Sequence, residues 1–156
     1  MKTLVVYDSL YGNTAKVAAA IAAAIGDALP GEVPVLPVGE AKAGDMESVD
    51  LLVIGSPTHG AAATDAVQGL IEKLGPPARE SSRVATFDTR LTWRFLKRYG
   101  FAADKMADAL VEKGWTLVAA PEGFIVKGLK KARLKQGETE RAAAWAKKLV
   151  DSLAAA

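Results

Sequence analysis

Apolar residues along this chain follow two rhythms. Short unbroken runs occur at Leu4-Val5-Val6, at Leu51-Leu52-Val53-Ile54 and at Val84-Ala85 before Phe87. Such runs suit strands buried on both faces of a parallel sheet. Between them, apolar positions recur every three or four residues: Val17, Ile21 and Ile25; Val67, Leu70, Ile71 and Leu74; Met106, Leu110 and Val111; Trp145, Leu149 and Leu153. That spacing predicts amphipathic helices over about 14–29, 64–74, 102–113 and 138–153. Strands are expected at about 2–8, 50–55 and 82–87, with a last one over 115–126 interrupted at Pro121. Residues 32–38 make a poor strand because Pro34 and Pro37 lack N–H donors, which places it at a sheet edge. Gly26 with Pro30-Gly31, Gly75-Pro76-Pro77 and Gly114 stop the first three helices.

Strand and helix alternate five times, which predicts a parallel sheet with right-handed crossovers and helices on both faces. Three apolar runs end in polar loops, at 9–14, 56–61 and 88–93. Ligands of such sheets bind beyond the carboxyl ends of the strands, so the three loops are expected on one rim. No internal repeat, linker or boundary divides the chain, and residues 1–156 are read as a single domain.

The first of these loops, Asp8-Ser9-Leu10-Tyr11-Gly12-Asn13-Thr14, joins a buried strand to a helix start. N–H groups there have no intrahelical acceptor and sit at the positive end of the helix dipole, an arrangement suited to phosphate. Ser9, Thr14 and the Asn13 amide can add donors, and Gly12 lets the backbone come close. There is no Gly-Lys-Ser/Thr ending and no G-x-G-x-x-G, so neutral donors are expected to hold the anion. The alternative is an ordinary turn with Thr14 as the N-cap.

Composition narrows the chemistry. The chain has no cysteine, one histidine and a formal net charge of +2. Disulfides, thiolate metal sites, cysteine nucleophiles and a multi-histidine metal centre are excluded within one chain. Bulk charge points to neither nucleic acid nor membrane. With no basic leader at Met1 and no apolar run near ~18 residues, a cytoplasmic protein is expected.

Residues 5–21 resemble the flavodoxin family: two aliphatics, Tyr7, the hydroxyls Ser9 and Thr14, Gly12, then Ala18 and Ile21. Gly55-Ser56-Pro57-Thr58-His59-Gly60 is similar to that family's second flavin loop, and Phe87-Asp88-Thr89-Arg90 to its third. Without a long insert in the last strand, the chain resembles the short-chain group. The resemblance implies a three-layer α/β fold with a five-stranded parallel sheet in order 2-1-3-4-5, and FMN bound noncovalently at the switch between strands one and three. It implies that Ser9, Leu10, Tyr11, Gly12, Asn13 and Thr14 take the phosphate. Pro57, Thr58, His59, Gly60 and Ala61 would border one side of the isoalloxazine ring, and Asp88, Thr89, Arg90, Leu91 and Trp93 the other.

Particular residues then acquire expected roles. A neutral His59 can stack on the ring, and its protonation would raise the flavin potential. The Gly60-Ala61 peptide is the candidate to rotate as flavin N5 gains its proton. Trp93, or failing that Leu91, would cover the outer face. Trp115 and Trp145 are expected in the core. Leu10 stands where the family often has a hydroxyl. The family is usually acidic near the flavin, whereas here Arg90, Arg94, Lys97 and Arg98 follow the third loop with no acid between Thr89 and Gly100. These cations predict an acidic redox partner. A second run, Lys127, Lys130, Lys131, Arg133 and Lys135, reads as a solvated face. The first expectation is an electron carrier working through FMN. Two others stand beside it: an FMN-dependent oxidoreductase acting on a quinone or a porphyrinogen-like anion, with the arginines as carboxylate clamps, and an interaction module without productive flavin.

Overall fold

Parallel pairing organises the chain from its first strand. The structure, a computed structural model, describes residues 1–92, 97–128 and 130–155. β1 (Thr3–Tyr7) lies between the edge strand β2 (Val35–Pro37) and β3 (Leu51–Pro57). β4 (Arg83–Arg90) follows β3 and is paired in turn with both β5 (Thr116–Leu117) and β6 (Glu122–Lys127). All these pairs are parallel. β7 (Arg133–Leu134) closes the edge antiparallel to β6. The helices are α1 (Asn13–Ala28), the short α2 (Ala43–Glu47), α3 (Asp65–Lys73), α4 (Ala102–Glu112) and α5 (Glu138–Ala155).

The expected 2-1-3-4-5 order holds, but the strand count does not. Among the described residues seven strand segments form the sheet rather than five. The fifth strand is split around Pro121, β5 pairing with Arg83 and Val84 and β6 with Phe87 to Arg90. β7 was not expected, because two residues leave no periodic signal. β4 also runs three residues past Phe87. Asp88, Thr89 and Arg90 are strand residues, pairing with Gly123 to Ile125 of β6.

Strand residues alternate between two cores, as the pleat requires. Val5, Val53, Ala85 and Phe87 face α1 and α5, where they meet Val17, Ile21, Ile25, Trp145 and Leu149. Leu4, Val6, Leu52, Ile54 and Val84 face α3 and α4, where they meet Val67, Ile71, Met106, Leu110 and Trp115. Trp115 and Trp145 are both buried, as expected. Trp145 packs edge-on against Phe87 and Phe124 at centroid distances of 6.3 and 6.0 Å.

The C-terminal helix is fixed by one carboxylate. Glu138, in the first turn of α5, accepts from the Ile125 N–H of β6 at 2.7 Å and from Arg141 Nη2 at 2.7 Å. The Arg141 guanidinium lies 4.5 Å from the Phe124 ring centroid. Hydrogen bonding from Arg141, reinforced by the Ile125 N–H, outweighs burial and holds the Glu138 carboxyl below its ordinary value. A depressed pKa stabilises the fold above the ordinary carboxylate pKa, and that contribution is lost as pH falls through the folded value. We therefore expect Glu138→Gln to cost about 1–3 kcal/mol at pH 7 in urea unfolding. The gap from the wild type should close on acidification below about pH 4.

Candidate functional site

Because β1, β3 and β4 are parallel, their carboxyl ends meet on one rim, and hydrogen bonds join the loops that leave it. Asp8 N–H donates to Gly55 O (3.1 Å) and Thr58 N–H to Thr89 O (2.9 Å). The hydroxyls of Thr14 and Thr89 bond at 2.9 Å. A cleft of about 210 Å³ opens here. The opening turn contributes Leu10, Tyr11, Asn13 and Thr14 to its lining. The second loop contributes Pro57, Thr58 and His59, and the third Thr89 and Leu91.

In the opening turn the polar side chains are already engaged. Ser9 Oγ accepts from the N–H groups of Gly12 (3.1 Å) and Ala15 (3.3 Å). Asn13 Nδ2 donates to Ala132 O at 2.6 Å, and its Oδ1 accepts from Leu134 N–H at 3.0 Å. Thr14 is tied to Thr89. The N-cap is therefore Gly12, at φ +86°, and not Thr14. The N–H groups of Leu10, Tyr11, Asn13 and Thr14 donate to no acceptor among the described residues. Two turn positions, Leu10 and Tyr11, and the first two residues of a 16-residue helix thus leave backbone donors for an anion.

The second loop is a two-residue hairpin. His59 and Ala62 are bridged by N–H to O bonds of 2.8 and 3.2 Å. Gly60 (φ +57°) and Ala61 (φ +63°) are both left-handed, the signature of a type I′ turn. Ala61 is the one non-glycine residue at positive φ among the described residues. His59 is exposed at the lip of the cleft, while Gly60 and Ala61 lie beyond it in the turn.

The third loop differs most from expectation. Asp88 is fully buried and turned away from the cleft. Arg90 Nε and Nη2 reach its two oxygens at 2.7 and 2.8 Å, and the Ala103 N–H donates to Oδ2 at 2.9 Å. The Arg90 guanidinium lies 3.8 Å from the Phe101 ring centroid and close against Gly123, where a Cβ would overlap it. Burial raises the Asp88 pKa, against the opposing effects of Arg90, the Ala103 N–H and Thr58. Thr58 Oγ1 in turn accepts from Ala102 N–H at 3.0 Å. One buried pair thereby joins the second loop, β4 and the start of α4. Arg90 is not offered to a partner or substrate. Trp93 and Arg94 lie outside the described residues, and Lys97 and Arg98 are exposed.

Four lining residues were missed in the sequence: Val126, Gly128, Lys130 and Ala132, all from the β6–β7 hairpin. The basic run 127–135 was the available signal. What it lacked was the turn that folds it back over the opening loop. Lys130 thus brings a cation to a cleft expected to hold its anion with neutral donors. Among the described residues no cluster of His, Asp or Glu could hold a metal ion, and no helix is long and apolar enough to cross a membrane.

Comparison with known proteins agrees with the fold. A family model described as flavodoxin domain matches residues 4–124. No curated protein matches at the sequence level. Oxidised flavodoxin 1 from Bacillus cereus is similar in fold, with a TM-score of 0.79 at 19% identity over 97% of this chain and 98% of that one. A short-chain flavodoxin associated with a bacterial microcompartment gives the same TM-score, 0.79 at 19% identity, over 98% and 99%. Rubredoxin oxygen:oxidoreductase from Desulfovibrio gigas is similar over 99% of this chain but 36% of its own, with a TM-score of 0.76 at 19% identity.

Two stability measurements check the site's construction. Arg90→Gln leaves the Asp88 carboxylate buried without its cation, and we expect a loss of about 3–5 kcal/mol at pH 7. The variant's Asp88 pKa rises further, so the loss should grow as pH rises through it and shrink on acidification. Asp88→Asn/Arg90→Gln should recover most of the loss. Ala61→Gly should stabilise the fold by about 1 kcal/mol, by relieving a side chain held in the left-handed region.

Proposed function

This chain belongs to the flavodoxin family, and we propose that it binds FMN noncovalently in the rim cleft and passes electrons through it. The observation that carries this reading is that the backbone N–H groups of Leu10, Tyr11, Asn13 and Thr14 have no acceptor among the described residues at the start of α1. Side chains that could compete for those donors are bonded elsewhere, so the cradle stands ready for a phosphate. Lys130 adds a cation at the same cleft.

The remaining lining fits a flat heterocycle. Pro57 and His59 on one side and Leu91 on the other give apolar or planar surfaces, with Thr58 and Thr89 between them. FMN bound there supplies one- and two-electron chemistry, and the chain supplies orientation, exclusion of water and electrostatics. The I′ turn at Gly60 and Ala61 follows His59 directly, just beyond this lining. Its central peptide can rotate without disturbing the His59–Ala62 bridge, and rotation relieves the left-handed Ala61. No side chain is required to act as acid or base.

An enzyme that clamps an anionic substrate through the third-loop arginines is less well supported, since Arg90 is spent on Asp88. Electron carriage between proteins needs no such clamp. The carrier reading therefore places its specificity on the protein's surface.

Incubation with FMN should give a yellow protein with micromolar or tighter retention by calorimetry. Riboflavin, lacking the phosphate, should bind about 100-fold more weakly, the worth of two or more charge-assisted bonds. Lys130→Gln should weaken FMN by about tenfold and leave riboflavin unchanged. Equal affinity for FMN and riboflavin, or no uptake of either, overturns the assignment.

A further inference from the structure

We propose that the β6–β7 hairpin, with Lys16 and Tyr11 beside it, is the docking face for a redox protein bearing a compact acidic patch. This rests on the carrier reading above, and it moves the partner surface away from the third loop, where it was expected. Five cations stand in the nine residues from Lys127 to Lys135 with no acid among them. All five are exposed, as is Lys16 on α1. None of the six takes part in an ion pair among the described residues.

These cations sit on a fixed support. The two bonds from Asn13 to Ala132 and Leu134 tie the hairpin to the opening turn, and Lys135 N–H donates to Ile125 O at 2.8 Å. A platform held in this way loses little freedom when a partner arrives. A second groove, lined by Lys16, Lys131 and Arg133, shares Tyr11, Asn13 and Ala132 with the candidate flavin cleft. Tyr11 is 64% exposed and Leu10 49%. An exposed aromatic ringed by cations has the anatomy of an interface hot spot. A partner seated there touches residues that also line the cofactor's cleft.

Charge distribution selects the kind of partner. With six cations gathered here, a chain of net charge +2 carries −4 over the rest of its formal charges. A nucleic acid or an anionic lipid sheet spreads its charge far beyond one hairpin and meets that negative remainder. A protein with a localised acidic patch does not, and the asymmetry steers it to one face. At the third loop, by contrast, Arg90 is withdrawn into the pair with Asp88.

The test uses the FMN-loaded protein, an acidic [2Fe–2S] ferredoxin as probe and basic cytochrome c as counter-probe, with electron exchange followed by stopped flow. The ferredoxin rate should fall by about tenfold or more between about 20 and about 300 mM salt, while the cytochrome c rate should not fall. Lys131→Glu/Arg133→Glu should lower the low-salt ferredoxin rate by about tenfold and flatten its salt dependence. Lys97→Glu/Arg98→Glu should do neither. The proposal is overturned if that second pair produces the loss, or if the ferredoxin rate ignores salt. It is also overturned if phosphatidylserine vesicles or single-stranded DNA hold the protein as tightly as ferredoxin does at about 150 mM salt. Calorimetry with ferredoxin and flavin-free protein separates the two failures. Salt-sensitive association without any electron exchange overturns the carrier reading and keeps the surface. Absence of association with and without flavin overturns the surface.

Discussion

The candidate site is held in shape by a single buried carboxylate. Asp88 sits at the carboxyl end of a central strand with no exposed surface, a position that water cannot reach and that a lone charge could not occupy. Its oxygens are taken by the Arg90 fork and the Ala103 N–H, and Thr58, beside it, takes the neighbouring Ala102 N–H. Each of these partners belongs to a different part of the rim. The second loop, the end of β4 and the start of α4 are therefore set relative to one another by the need to neutralise one charge. Arg90 packs against Phe101 and Gly123 for the same reason: a planar, weakly hydrated cation covered by an aromatic ring can be buried at a cost its partner repays.

Around that fixed point, the opening turn works by keeping its side chains occupied. Ser9 stabilises the turn from within, Thr14 bonds to Thr89, and Asn13 reaches across to the β6–β7 hairpin. What remains for a ligand is the backbone itself, whose N–H groups are fixed in direction by the helix they begin. A cradle of this kind has no rotamers to order on binding, so its cost is met when the chain folds.

The parts legible in the sequence were those governed by local pattern. Buried runs and 3.6-residue stripes placed the main strands and helices, the alternation gave the parallel sheet and the rim, and the strand order came from the flavodoxin resemblance. Partners distant in the chain were not legible. Asn13 bonds to residues 119 and 121 positions away, and no spacing rule connects them. Arg90 was misjudged because β4 was ended at Phe87. Once Asp88 and Arg90 are both strand residues, their separation of two puts them on one face of the sheet and an ion pair follows. The hairpin carrying Lys130 rests on a two-residue strand, too short for its composition to announce it.

Asn13 also joins the two ends of the molecule in a way that the family match does not cover. The matched region stops at residue 124, yet the amide's partners, Ala132 and Leu134, lie past it, as does Lys130. Closing a loop of this length carries an entropic penalty that only late, long-range contacts offset. The opening turn consequently takes its final form together with the last strand pair, so the direction of its backbone donors depends on residues 132 and 134 as much as on the N-terminal half.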